Sequence, residues 1–161
     1  MNKVIIYLKD NTQIDTNIFI GNIFDASNIE NIKNNNINAV FNISPVDIPK
    51  SKDIRYYNLS IDDSPVVDIY THLPNVISYI DKEITNGSKI LVNCQVGVSR
   101  SASVVISYLL YKYGQLFAYN YDIAYNILKK CRNIVRPNDG FRQQLIKFSD
   151  ELKEKNIMVV Y

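Results

Sequence analysis

The order of hydrophobic periodicities constrains this chain more than any other feature. Short β-branched or alternating apolar runs occur at Val4–Leu8, Ile18–Ile20, Ala39–Ile43, Ile54–Leu59 and Lys89–Val92. Each is bounded by Asn, Asp, Gly, Lys or Pro, so they read as strands. Between the last two, Ile69, Leu73, Val76, Ile77, Ile80 and Ile84 recur at spacings of three and four, the stripe of an amphipathic helix. After Val92 the pattern is helical throughout, over Ser101–Tyr113, Asn120–Arg132 and Asp139–Lys153. Strands alternating with helices, then helices alone, imply the α/β class: a central, mostly parallel twisted sheet flanked by helices. A length of 161 residues with 47% hydrophobic residues supplies one ordinary core, so residues 1–161 are expected to form a single domain with short N- and C-terminal extensions. Asn34-Asn35-Asn36 and Asn86-Gly87 mark turns inside it.

Composition closes off several classes of function. Two cysteines, Cys94 and Cys131, are too few for a disulfide framework and fit a reducing cytoplasm or nucleus. The single histidine, His72, makes a zinc cluster implausible, and it reads as a partly buried helix residue beside the apolar stripe. The net charge of +2 comes without a dense Lys/Arg block, and the tyrosines form no stacking platform, so nucleic acid is not the expected partner. No apolar run approaches a bilayer's thickness, and charge interrupts the first ten residues, so neither a membrane span nor a leader is expected. Cys131 has Lys129, Lys130 and Arg132 as neighbours, which favours a thiolate, although its place in the helical period favours packing.

Chemistry concentrates in Ile90–Ser103, where an apolar strand passes through a short loop into an apolar helix. Such a loop can turn successive backbone N–H groups inward and, with the helix dipole behind it, cradle a phosphate. Cys94 stands at the loop's entrance and Arg100, six residues on, at its exit, so a ring would bring thiol and guanidinium to opposite sides of one small anion. The positive potential there favours thiolate over thiol. Gly97 permits a backbone conformation or close approach that a side chain would obstruct. The planar fork of Arg100 suits two oxygens of a phosphoryl group, and Ser101 offers a hydroxyl to the sulfur. Taken alone, a cysteine after an apolar strand is more often a small buried hydrophobe; the full constellation of Cys94, Gly97, Arg100 and Ser101 reverses that reading.

Cys94 to Arg100 followed by Ser101 resembles the Cys-x5-Arg-Ser signature of protein tyrosine and dual-specificity phosphatases. The likeness extends over nearly the whole chain. Ile18-Phe19-Ile20-Gly21-Asn22 and Asp25-Ala26-Ser27 look like the family's early strand and turn, and Arg132, Pro137-Asn138, Phe141 and Gln144-Leu145 match the spacing at the end of its catalytic domain. The resemblance implies a protein tyrosine phosphatase-like fold and cysteine-dependent hydrolysis of phosphotyrosine and phosphoserine or phosphothreonine on phosphorylated protein substrates, with no metal or organic cofactor. It places phosphate binding on Gln95, Val96, Gly97, Val98, Ser99 and Arg100. The family's general-acid segment looks like Tyr57–Pro65, and aligning Asp68-Ile69 with its acidic helix start selects Asp63, with Asp62 as the alternative and Asp68 as an N-cap. In one departure, Asn93 stands where the family has a histidine before the nucleophile, which implies slower chemistry. A phosphopeptide-binding pseudophosphatase with little turnover is the rival, supported by Asn93 alone.

The two ends, Val4–Leu8 and Ile157–Tyr161, are both short, apolar and β-prone. At least one is expected to be ordered, as an edge strand or as a contact in a homodimer, with a disordered carboxyl tail as the alternative for Ile157–Tyr161.

Overall fold

The computed structural model describes the backbone of residues 1–160 and the side chains of residues 1–156. Five strands form one sheet: β1 (Asn2–Tyr7), β2 (Gln13–Gly21), β3 (Ala39–Asn42), β4 (Arg55–Asn58) and β5 (Ile90–Asn93). Their spatial order is β1-β2-β5-β3-β4, parallel except for β1, which runs antiparallel to β2 at one edge. The helices are α1 (Ile23–Ser27), α2 (Ile29–Asn34), α3 (Leu73–Thr85), α4 (Arg100–Tyr113), α5 (Tyr121–Cys131) and α6 (Asp139–Val160). The mostly parallel α/β architecture expected from the periodicity is the one observed.

Alternation along the strands divides the core in two. Ile18, Ile20, Ala39, Phe41, Ile90 and Val92 face the larger cluster, which α3, α4, α5 and α6 cover. Phe19, Val40 and Leu91 point the other way and pack with Ala26 of α1 and Ile32 of α2. The central strands are therefore apolar on both faces, as buried parallel strands must be. Helix α4 lies deepest, with every residue from Arg100 to Leu110 buried. The register sets Gly21 beside Asn93, Asn93 beside Asn42, and Asn42 beside Asn58, aligning the carboxyl ends of the four parallel strands.

Two elements escaped the periodicity. Helices α1 and α2 are too short for an apolar stripe, and their signal lies in their caps. Asn22 and Asp25 form a capping box, and Asn28 accepts from Asn31 N. At the amino end the expected edge strand is present as β1. At the other end the β-prone reading of Ile157–Tyr161 is corrected: α6 runs on to Val160, since the sequence after Phe141 holds no Gly or Pro to stop it. The side chains of 157–160, and Tyr161 altogether, lie outside the described residues.

One ion pair, between a buried Glu83 and an exposed Arg55, ties β4, the far edge of the sheet, to α3. Glu83 is 3% exposed, and Arg55 grips it with two bonds, Nε to Oε1 at 2.8 Å and Nη2 to Oε2 at 2.7 Å. Tyr57 donates a third at 2.8 Å. The Arg55 hydrogen bonds, outweighing burial, hold the Glu83 carboxyl down from 4.5 to about 2. A depressed carboxyl contributes stability that is complete above its unfolded value and is lost as pH falls through the folded one. Glu83→Gln is therefore expected to lower unfolding free energy at pH 7 by about 2 kcal/mol. In urea titrations at several pH values, the difference from the wild type should close between pH 4.5 and pH 2.

Candidate active site

Residues 94–99 leave the carboxyl end of the central strand β5 and re-enter the backbone of α4 at Arg100. Gly97 makes the ring possible: its φ is +75°, and a Cβ there would sit 2.7 Å from the Gly21 carbonyl oxygen and 2.6 Å from Arg132 Nη2. The positive φ and the close approach both demand glycine, as expected.

Cys94 is 2% exposed, with Sγ 3.2 Å from Ser101 Oγ and a hydrogen bond of 3.2 Å from Gly97 N. Burial is the largest single influence on the thiol and pushes it up. Hydrogen bonds from the Ser101 hydroxyl and from the amides of Ser101, Gly97 and Val98 nevertheless carry it below its ordinary value. Arg100 is buried; its Nη1 donates to the Ile61 carbonyl at 2.9 Å, and its Nε has no partner among the described residues. Cys94, Gly97 and Ser101 thus meet at the sulfur, while Arg100, at the ring's exit, reaches the loop after β4. Among the described residues no group of three or more His, Cys, Asp or Glu side chains gathers to hold a metal.

Ile61 belongs to the loop after β4 that carries Asp62 and Asp63. Asp63 Oδ1 accepts from Asn138 Nδ2 at 2.8 Å, whereas Asp62 has no side-chain hydrogen bond among those described. This loop lies along the start of α6. Asn138 also receives Phe141 N on its Oδ1 and donates its own N–H to Ser99 Oγ at 2.9 Å, linking the acidic loop to the ring. A Cβ on Gly140 would fall 1.9 Å from the Pro65 carbonyl oxygen. Gln144 accepts from the amides of Ile69 and Tyr70 and donates to the Val67 carbonyl. Asn138 and Gln144 were legible only as spacing; their part in holding the acidic loop depends on side chains meeting from 75 or more residues away. Asp68 accepts from Thr71 N and Oγ1, capping the turn as read. Cys131 packs against Ile5, and burial pushes its thiol up, which favours the packing reading.

Asn93 is fully buried behind the ring. Its Nδ2 donates to Asn42 Oδ1 at 3.1 Å and to the Cys94 carbonyl at 3.4 Å, while its Oδ1 has no donor among the described residues. Asn42 is held in turn by the Ser44 hydroxyl, the Val46 carbonyl and Asn58.

The family model for the dual specificity phosphatase catalytic domain matches residues 18–151. The chain belongs to the dual-specificity phosphatase family. The human protein phosphatase Slingshot homolog 2 is 34% identical over 138 residues, which are 85% of this chain and 9% of that protein. The putative tyrosine phosphatase 123R of Invertebrate iridescent virus 6 is 37% identical over 145 residues, 90% of this chain and 96% of that one. This phosphatase domain thus spans about a tenth of the Slingshot protein and nearly all of the viral one. Among solved structures, human DUSP28 superposes with a TM-score of 0.81 at 25% identity, covering 87% of this chain and 96% of that one. A mouse putative dual specificity phosphatase complexed with zinc tungstate gives a TM-score of 0.81 at 30% identity over 88% and 87%.

Asn93 adds a donor to the Cys94 carbonyl but no ring that can carry a proton. Asn93→His is expected to lower the midpoint of Cys94 alkylation by iodoacetate, by roughly half to one pH unit, and to raise turnover near pH 6. Identical pH profiles of inactivation for the two proteins would show that position 93 has no influence on the thiol.

Proposed function

We propose that this domain hydrolyses phosphate monoesters on phosphotyrosine and on phosphoserine or phosphothreonine of proteins, with Cys94 as nucleophile, Arg100 as phosphate clamp and Asp63 as general acid. The observation that carries it is the convergence of the Ser101 hydroxyl and the Gly97 amide, each 3.2 Å away, on one buried sulfur, which holds the thiol below its ordinary value.

The phosphoryl group sits over the ring of Gln95, Val96, Gly97, Val98 and Ser99, and Arg100 spreads its donors over the non-bridging oxygens. The buried Arg100 Nε, without a partner, is a donor that an oxyanion would satisfy. Sulfur attacks phosphorus, the bond to the side-chain oxygen breaks, and Asp63 gives that oxygen its proton. Asp63 then takes a proton from the water that attacks the cysteinyl phosphate. The sulfur–phosphorus bond breaks, inorganic phosphate leaves, and Ser101 donates to the departing thiolate. Asn138 steadies Asp63 through both steps.

The ring side chains Gln95, Val96, Val98 and Ser99 carry no charge, which favours protein substrates over polyphosphorylated inositides or RNA ends. A tungstate complex of the mouse relative fits this reading, since tungstate is a tetrahedral oxyanion like the phosphate assigned to the loop. No helix among the described residues is long and apolar enough to cross a membrane. We place the domain's substrates in the cytoplasm or nucleus, where cysteines stay reduced.

Release of p-nitrophenol from p-nitrophenyl phosphate separates hydrolysis from mere phosphopeptide binding. Cys94→Ser and Arg100→Ala should each abolish it, while Cys94→Ser still binds phosphopeptide; undiminished turnover by Cys94→Ser would sink the mechanism. Asp63→Asn should slow phosphoserine hydrolysis about a hundredfold or more, and slow p-nitrophenyl phosphate, whose leaving group needs little protonation, by about tenfold or less. Should Asp62→Asn behave this way and Asp63→Asn behave as wild type, the acid is Asp62.

A further inference from the structure

Three carbonyls of the phosphate ring are tethered from outside it. Ile23 N donates to the Gln95 oxygen at 3.1 Å, Arg136 N to the Val98 oxygen at 2.7 Å, and Arg132 Nε to the Gly97 oxygen at 2.9 Å. In a trans peptide the C=O and the following N–H point in opposite directions, so each carbonyl drawn outward turns the next N–H toward the interior. Gly97 is held at its carbonyl from outside, and its own amide donates to Cys94 Sγ at 3.2 Å.

The Gly97 tether differs from the other two because a side chain makes it. Arg132, just past the end of α5, uses its second arm on a distant element: Nη1 donates to Asn2 Oδ1 at 2.9 Å, at the start of edge strand β1. Both acceptors are neutral oxygens, and the fork lies so close to the ring that a methyl on Gly97 would meet Nη2 at 2.6 Å. An arginine held in this way works through geometry: its position is fixed at two points, and the peptide between Gly97 and Val98 is fixed with it.

We propose that Arg132 is a positioning residue for Cys94, holding Gly97 by its carbonyl so that the Gly97 amide stays on the sulfur, with Asn2 of β1 bracing the guanidinium. The proposal deepens the reading of Cys94 as a thiolate nucleophile and rests on it. Other charged groups on the surrounding elements are the amino terminus beside Asn2, paired with Asp25 of α1, Arg100 at the head of α4, Asp63 on the loop after β4, Arg136 on the α5–α6 connection, and Lys129 and Lys130 on α5. Arg132 contributes charge as well as geometry, and the test must separate the two.

The rate of Cys94 alkylation by iodoacetamide, followed by peptide mass mapping so that Cys131 does not interfere, is measured from pH 4 to pH 9 for wild type, Arg132→Met, Arg132→Lys and Asn2→Ala. Each variant is first shown to melt cooperatively. Loosening the Gly97 amide from the sulfur should raise the midpoint in Arg132→Met by about one pH unit, slowing alkylation at low pH about tenfold. Asn2→Ala, which keeps the charge and removes the brace, should shift it the same way by less, and it serves as the test should Arg132→Met fail to fold. Arg132→Lys, which keeps the charge but cannot span both oxygens, should fall between wild type and Arg132→Met. A folded Arg132→Met with the wild-type midpoint overturns the proposal. So does a shift in Arg132→Met with none in Arg132→Lys or Asn2→Ala, which would assign the effect to charge alone. Alkylation needs no turnover, so a wild type with a low midpoint that releases no p-nitrophenol would refute the hydrolytic function and leave the role of Arg132 standing.

Discussion

A buried thiol inclined toward negative charge must recover the solvation it gives up, and the rest of this structure follows from how that is done. Cys94 is almost inaccessible, and burial alone would keep it protonated. Hydroxyl and amide donors reverse the outcome only if several backbone N–H groups point at one atom, an arrangement regular secondary structure does not offer. It requires a ring with outward carbonyls, a residue of positive φ at Gly97, and partners for those carbonyls from α1, α5 and the α5–α6 connection. The parallel sheet supplies the platform: its central strand ends where the ring begins, and α4 starts where it closes.

The acidic side of the site is organised differently. Asp63 sits on an exposed loop without regular structure, yet that loop is fastened along the first turns of α6 by Asn138, Gly140 and Gln144. Asn138 also bonds Ser99, so one residue at the head of α6 links the ring to Asp63. The Asp63 carboxylate is therefore held by α6 as much as by its own loop.

Features carried by local sequence were legible and those carried by meetings at a distance were not. The five strands and the four long helices follow from runs and stripes within single segments. Gly97, Cys94 and Ser101 lie within eight residues, so their convergence follows from one strand–loop–helix step. Helices α1 and α2 are shorter than any period that could reveal them, and only their Asn caps announce them. The β-prone run after Asn156 continues a helix because nothing before it breaks one; local propensity yields there to continuity. The contacts of Arg132 with Asn2 and of Asn138 with Asp63 span 130 and 75 residues, and no spacing rule reaches so far.

The strand order has a consequence for how this protein can fail. Strands β2 and β3 share no ladder: within the sheet they are joined through β5, the four residues Ile90–Asn93. That strand is the seam joining two ribbons, β1-β2 and β3-β4, neither of which would hold its shape alone. The seam is also the stem of the reactive ring. Loosening that strand would therefore disturb the sheet and the loop that holds Cys94 together.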